Sequence, residues 1–186
     1  KRVLRAKLGL SLGKYIFIST NSFIPRKHND EIISAFVSAN LPKAELLMLG
    51  EGFLLKELKT KYKQNSSIKY TGLVMNILEY LQCADCFISA SDSEGLPNAV
   101  LEAMACNLPI ILSDIPQHRE ILDELPECGK IFPLHNIEQL SLMMQEYANK
   151  EKQNVNIAKA LKKTPFTMEE MGRRYKIYYK EMGVPC

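Results

Sequence analysis

The chain has 186 residues, 46% of them hydrophobic, with 24 Lys plus Arg against 21 Asp plus Glu. That length suits one domain with a real core, and a net charge of +3 is too small to argue for a nucleic-acid partner. No apolar run approaches the ~20 residues that span a bilayer, and the first residues do not read as a secretory signal.

Residues 1–13 read as a leading segment, and a start on KRVLRAKLG without methionine suggests an excised piece of a longer chain. The apolar run Tyr15, Ile16, Phe17, Ile18 within 14–20 predicts a strand covered on both faces. After the loop NSFIPRKHND, the spacing of Ile32, Ile33, Phe36 and Val37 predicts a helix, with Asp30 as its candidate cap. A second strand over 45–49 turns at Gly50-Glu51-Gly52 and enters a helix edged by Leu54, Leu55, Leu58 and Tyr62. A third strand, 68–70, ends at Gly72, and Val74, Ile77, Leu78 and Leu81 mark the next helix. Strands over 86–89 and 109–112 follow, with a weaker one at 130–132.

Strands alternating with helices through short polar turns predict a doubly wound parallel α/β sheet, Rossmann-like over 14–135. In such sheets ligands bind beyond the carboxyl ends of the strands. The segment 136–186 reads as C-terminal helices. Asn136 is a candidate cap for Ile137, Leu140, Met143, Met144 and Tyr147, and a further helix passes through Val155, Ala158 and Leu161. Thr167 with Glu170 forms a capping-box pattern that opens a last helix striped by Met168, Met171, Tyr175, Tyr178 and Met182. Arg173, Arg174, Lys176 and Lys180 read as a solvated face, with contact to an anionic membrane surface as the alternative.

Five cysteines without a repeated spacing, Cys83, Cys86, Cys106, Cys128 and Cys186, suit a reduced, cytoplasmic compartment. Cys83-x-x-Cys86 lacks the second ligand pair of a zinc site, so two buried thiols at a helix-to-strand junction are expected. His28, His118 and His135 are scattered, and no partner pattern marks a triad or a metal site.

The stretch SDSEGLPNAVLEAMACNLPIILSD, residues 91–114, carries the chemistry. Gly95 permits close backbone approach, and Pro97 stands where a first helical turn needs no N–H. The amides of Leu96, Asn98 and Ala99 are then expected to face an anion. Glu94 precedes the helix. Glu102 lies inside the apolar run Ala99, Val100, Leu101, Ala103, Met104, where a carboxylate is costly to bury without donors.

Glu94 and Glu102 in EGLPNAVLE, followed by AMACNLPII, resemble the signature of the retaining family 4 glycosyltransferases in their nucleotide-binding half. The resemblance extends through RAKLGL, FIPRK, LMLGEG, KYTGLV and CADCFISAS. It implies the carboxyl-terminal donor-binding domain of a GT-B enzyme, whose acceptor-binding amino-terminal domain is absent from this sequence. The implied donor is a nucleotide-diphosphate sugar, with a UDP-sugar the first expectation and no metal. The implied acceptor is a glycan, a lipid-linked species or a small molecule, in polysaccharide or glycoconjugate synthesis.

By the same resemblance, Glu102 accepts from the ribose hydroxyls, Glu94 contacts the donor sugar, and Lys27 contacts the diphosphate. The backbone of Gly95, Leu96, Pro97 and Asn98, with Leu101 behind it, is implied to border the diphosphate and sugar, and Gly72 and Leu73 the base. The arginine that often accompanies the lysine is replaced here by Ser22. Arg26, in a loop read as extended, is expected to point away from Lys27. His28 stands where Gly or Asn is common. Gly50 and Gly52 read either as an edge of the nucleotide site or as a bare turn. A nucleotide-sugar epimerase and a non-catalytic binding module are the alternative readings.

Overall fold

A computed structural model of the protein describes residues 1–150, 156–167, 169, 170 and 173. In chain order the elements are α1 (Arg2–Lys7), β1 (Tyr15–Thr20), α2 (Asn29–Ala39), β2 (Ala44–Leu49), α3 (Leu55–Lys61), β3 (Ile68–Gly72), α4 (Ile77–Cys83) and β4 (Cys86–Ser89). They continue with α5 (Asn98–Ala105), β5 (Ile110–Ser113), α6 (Pro116–Glu124), β6 (Gly129–Phe132), α7 (Ile137–Asn149) and α8 (Ile157–Leu161). The six strands form one parallel sheet in the order β3-β2-β1-β4-β5-β6.

Alternation along each strand divides the core between the two faces of this sheet. Phe17 with Leu46, Met48, Ile88 and Ile111 packs under α2, α3 and α7. Ile16 and Ile18 with Leu47, Phe87, Ile110 and Leu112 pack under α4, α5, α6 and α8. The four central strands, β2, β1, β4 and β5, are buried on both sides, which explains why they read as largely apolar runs, whereas the edge strands β3 and β6 are part-exposed.

The chain leaves β1 toward β2 and β3 on one side, then returns to place β4 on the other. β1 pairs with β2 over six residues, Tyr15↔Ala44 to Thr20↔Leu49. It pairs with β4 only at Phe17↔Cys86 and Ile18↔Phe87. The carboxyl ends of β1 and β4 therefore part at the point where strand order reverses, and such a crevice is where open α/β sheets bind ligands.

The opposite end of the sheet, where β1 and β4 begin, is closed by a buried ion pair. Arg5 on α1 donates from Nε to the Cys83 carbonyl (2.9 Å), from Nη1 to the Lys14 carbonyl (2.8 Å) and from Nη2 to Asp85 (2.5 Å). Asp85 also accepts from the Ile16 amide (2.9 Å) and from Lys1 (2.8 Å). The leading segment is thus a helix bound to the start of β1 and to the junction of α4 with β4. Cys83 ends α4 and Cys86 begins β4; both are buried free thiols, as the spacing indicated, and burial pushes both thiol values up.

Three local expectations are corrected. Asp30 does not cap α2: Pro25–Lys27 forms a 3-10 turn that runs into the helix through His28, and Asp30 sits in the first turn, where a carboxylate favours the helix dipole. Pro97 is the residue before α5 rather than its first member. Leu78, expected on a packed face, is exposed. Asn136 caps α7 by accepting from the Gln139 amide (2.8 Å), and Thr167 accepts from the Glu170 amide (3.2 Å). Val155, Met168, Met171, Arg174, Tyr175, Lys176, Tyr178, Lys180, Met182 and Cys186, for which the sequence carries expectations, lie outside the described residues.

Candidate functional site

A cavity of about 170 Å³ opens where β1 and β4 part. It is lined by Thr20, Asn21 and Lys27 from one side, and by Phe87, Ser89, Glu94, Leu96, Pro97, Asn98, Ala99 and Val100 from the other. Its volume is below the ~300–1,000 Å³ of a complete small-molecule pocket, room for part of such a ligand only.

The loops after β1 and β4 are fastened together over this cavity. The Asp92 amide donates to the Arg26 carbonyl (3.0 Å), and Arg26 Nη1 donates to the Ser93 carbonyl (2.9 Å). Lys27 Nζ lies 2.5 Å from Glu94 Oε1, with Arg26 Nη1 4.0 Å from Oε2. The Lys27 and Glu94 side chains are 14% and 13% exposed, so the pair is largely withdrawn from water.

Burial pushes the Glu94 carboxyl up. Hydrogen bonds from Lys27 and Ser91, with the charges of Lys27 and Arg26, outweigh it and hold the group below the usual glutamate range. The expectation that Arg26 points away is therefore overturned. Its loop is a 3-10 turn, not an extended segment, and the turn brings consecutive cations to one carboxylate.

Behind the Glu94 loop, Ser113 Oγ donates to the Ser91 carbonyl (2.5 Å), and His118 Nδ1 lies 2.9 Å from the Ser113 carbonyl. Burial holds the His118 imidazole below its ordinary range against that hydrogen bond and the pull of Glu94, with Lys27 adding to the depression. His118 is fully buried, and it buttresses the segment that carries Glu94.

The family model described as "Glycosyl transferases group 1" matches residues 1–164. The chain belongs to that glycosyltransferase family. An uncharacterized glycosyltransferase of Methanocaldococcus jannaschii, MJ1059, is 35% identical over 114 residues, which cover 58% of this chain and 28% of the relative. The putative glycosyltransferase EpsD of Bacillus subtilis is 26% identical over 186 residues, 94% of this chain and 49% of the relative. The crystal structure of Anabaena Alr3699/HepE in complex with UDP and glucose superposes with a TM-score of 0.82 at 16% identity, covering 98% of this chain and 52% of that one. The chain spans about half or less of the length of these proteins, and the last likeness establishes the GT-B Rossmann-like fold.

Within this glycosyltransferase domain, Lys27, Glu94, Leu96, Pro97 and Asn98 meet at the cavity, and Arg26 stands at its rim. Gly95 is exposed in the loop between them, and Leu101 is half-buried on α5. Ser22 is exposed, and its carbonyl accepts from Asn29 Nδ2 (3.0 Å). Glu102 is exposed, so the burial cost expected for it is not incurred, and its carboxylate has no hydrogen-bond or ion-pair partner among the described residues, although its carbonyl accepts from the Cys106 amide. It follows Asn98 by four positions on α5, hence on the same helix face, with its side chain leaning back toward the cavity end.

The helix start also differs from expectation in one respect. The Asn98 amide is spent on the Leu96 carbonyl (2.8 Å), whereas the Leu96 and Ala99 amides have no partner among the described residues.

Gly50 and Gly52 have a packing explanation. A Cβ on Gly50 would stand 2.0 Å from the Asn21 carbonyl oxygen, and one on Gly52 2.4 Å from that of Phe23, at φ of 125° and 155°. The turn lies directly on the backbone of the loop after β1, with the Phe23 amide donating to the Glu51 carbonyl (2.8 Å) and the Gly50 amide to the Gly72 carbonyl (2.9 Å). Gly50→Ala is expected to destabilise the domain by more than about 1 kcal/mol in a urea titration, because the new Cβ meets both backbone strain and a carbonyl. Beyond Gly72, Leu73 and Met75 are 69% and 95% exposed, an apolar margin on the same edge of the sheet.

Thr20, Asn21 and Ser89 were not singled out by sequence reasoning. Thr20 Oγ1 is buried at the cavity and has no hydrogen-bond partner among the described residues. The available signal was position alone: they stand at or just past the carboxyl ends of the strands that flank the crossing.

Proposed function

We propose that the domain binds a nucleotide-diphosphate sugar, a UDP-sugar first among them, for retaining transfer to a glycan or lipid-linked acceptor held by an amino-terminal domain. The observation that carries this reading is the Lys27–Glu94 pair, set with Arg26 and the start of α5 around one cavity at the crossing of β1 and β4. The UDP and glucose in the HepE structure, on the same fold, support it.

Breaking the bond between the anomeric carbon and the diphosphate places growing negative charge on the leaving group. A fixed ammonium and free amides at a helix start stabilise such charge in a site already organised to receive it. Lys27 with the Leu96 and Ala99 amides does this in our account, and the step uses no metal. Arg26 supplies the second cation that Ser22 cannot, which favours the transferase over the binding-module reading. When the diphosphate takes Lys27, Glu94 is released toward the donor sugar, where its charge stabilises an oxocarbenium-like reacting centre. Glu102 accepts from the ribose hydroxyls, while Gly72 and the exposed Leu73 border the base.

Lys27→Ala is the direct test. It should weaken UDP binding by about 1.5–3 kcal/mol, the range for hydrogen bonds to charged groups. Titration calorimetry that finds equal affinity in the variant and the parent removes Lys27 from the donor site.

A further inference from the structure

Beside the donor cavity, His28, Glu31 and His135 converge from separate parts of the chain, contrary to the reading of the histidines as scattered. His28 ends the 3-10 turn, Glu31 lies in the first turn of α2, and His135 occupies the corner between β6 and α7. His135 Nδ1 lies 2.7 Å and His28 Nδ1 3.3 Å from the same oxygen, Glu31 Oε1. The rings meet edge-on at 4.8 Å. We propose that these three side chains bind one divalent transition metal of borderline softness, zinc foremost.

The donor set argues for that class of ion. Two imidazoles and a carboxylate with a fourth position left to water is an established arrangement for zinc, whereas calcium and magnesium prefer oxygen alone. Tetrahedral coordination with bonds near 2.0–2.1 Å needs ligand atoms roughly 3.4 Å apart. The three candidate atoms already lie within 4.8 Å of one another, so small side-chain rotations complete the site.

Asp92 supplies the supporting contact. Its Oδ2 lies 3.3 Å from His28 Nε2. A carboxylate behind one ring nitrogen keeps the proton there and leaves the lone pair of the other for the metal. Here that other nitrogen is Nδ1, which faces Glu31. The backbone agrees, since His28 and His135 both hold positive φ, 46° and 61°. Such conformations persist in residues other than glycine where the surroundings impose them.

The site stands apart from the transfer step and does not depend on the donor assignment. Its occupant would tie the β6–α7 corner to the turn bearing Arg26 and Lys27 and, through Asp92, to the loop bearing Glu94.

The test is titration of the tag-free full chain with zinc chloride by calorimetry and with Co²⁺ by absorption. Saturable binding of one ion per chain is expected, with cobalt d–d bands and no thiolate-to-cobalt charge transfer. Of the three histidines in the chain, Co²⁺ should shift or broaden the imidazole resonances of His28 and His135 more than those of buried His118. His28→Asn and His135→Asn, chosen because asparagine tolerates positive φ, should each weaken binding by tenfold or more. Asp92→Asn should weaken it about 10–100-fold, as loss of a supporting carboxylate does. Absence of saturable binding, thiolate bands, undisturbed His28 and His135 resonances, or full affinity in the double asparagine variant overturns the proposal.

Discussion

Arg5→Ala is expected to lower the free energy of unfolding by about 3–5 kcal/mol, the cost of breaking a buried ion pair from one side. The loss is large because the guanidinium does more than neutralise a charge. It satisfies the Cys83, Lys14 and Ser11 carbonyls as well as Asp85, whose side chain is 7% exposed. Lys1 and the Ile16 amide remain on Asp85 in the variant, which keeps the cost within this range.

The same pair sets a pH dependence. Burial raises the Asp85 carboxyl, but hydrogen bonds from Lys1 and Ile16 and the charges of Lys1 and Arg5 bring it below its ordinary value. A depressed carboxylate contributes stability that is present above its unfolded value, about 3.9, and is lost as pH falls through the lower folded value. Urea titrations of parent and variant should therefore differ most near neutrality, and the gap should narrow as pH falls below ~4 without closing, because the carbonyl contacts of Arg5 do not titrate. A difference under about 1 kcal/mol at pH 7, the size of an exposed pair, would show that the pair is not buried in solution.

Glu94→Gln, assayed in the longer transferase that the proposed function calls for, should lower kcat by about 10²–10³-fold, the loss seen when one fixed electrostatic contact to a transition state is removed. Donor affinity should change far less. The substitution keeps the volume and a carbonyl that Lys27 can reach, and removes only the charge. Because Lys27, Ser91 and Arg26 hold the Glu94 carboxyl below the glutamate range, the parent should not lose activity through this group until the pH is under about 4.3. In a Lys27→Ala background the main lowering influence on the free enzyme is gone, the carboxyl value rises, and the acid limb of kcat/KM against pH should move upward. A kcat within a few-fold of the parent for Glu94→Gln would end its assignment as the residue beside the reacting carbon.

The four central strands were legible because they are buried on both faces and bounded by turn residues, while the part-exposed edge strands β3 and β6 left a weaker signal. The same property placed Lys27 and Glu94 near one another, as both follow strands at the carboxyl edge. Their direct contact was not legible: Arg26 and Lys27 share a side only because Pro25 begins a 3-10 turn, and a loop sequence does not announce its turn type. Glu102 illustrates a different limit. Its apolar neighbours suggested burial, yet on a helix the residues adjacent in sequence lie on other faces, and α5 turns Glu102 outward while Val100, Ala103 and Met104 enter the core. Arg5 with Asp85, and His28 with His135, are juxtapositions across the sheet, where periodicity carries no information.

In the proposed binding mode the diphosphate of the donor sits between Lys27 and the start of α5. A crystal structure of the chain with UDP tests it most directly. Phosphate oxygens are expected within hydrogen-bond distance of Lys27 Nζ and of the Leu96 or Ala99 amide, with the Lys27–Glu94 contact opened and the ribose hydroxyls on Glu102. A diphosphate bound elsewhere, with Lys27 still closed on Glu94, would contradict it.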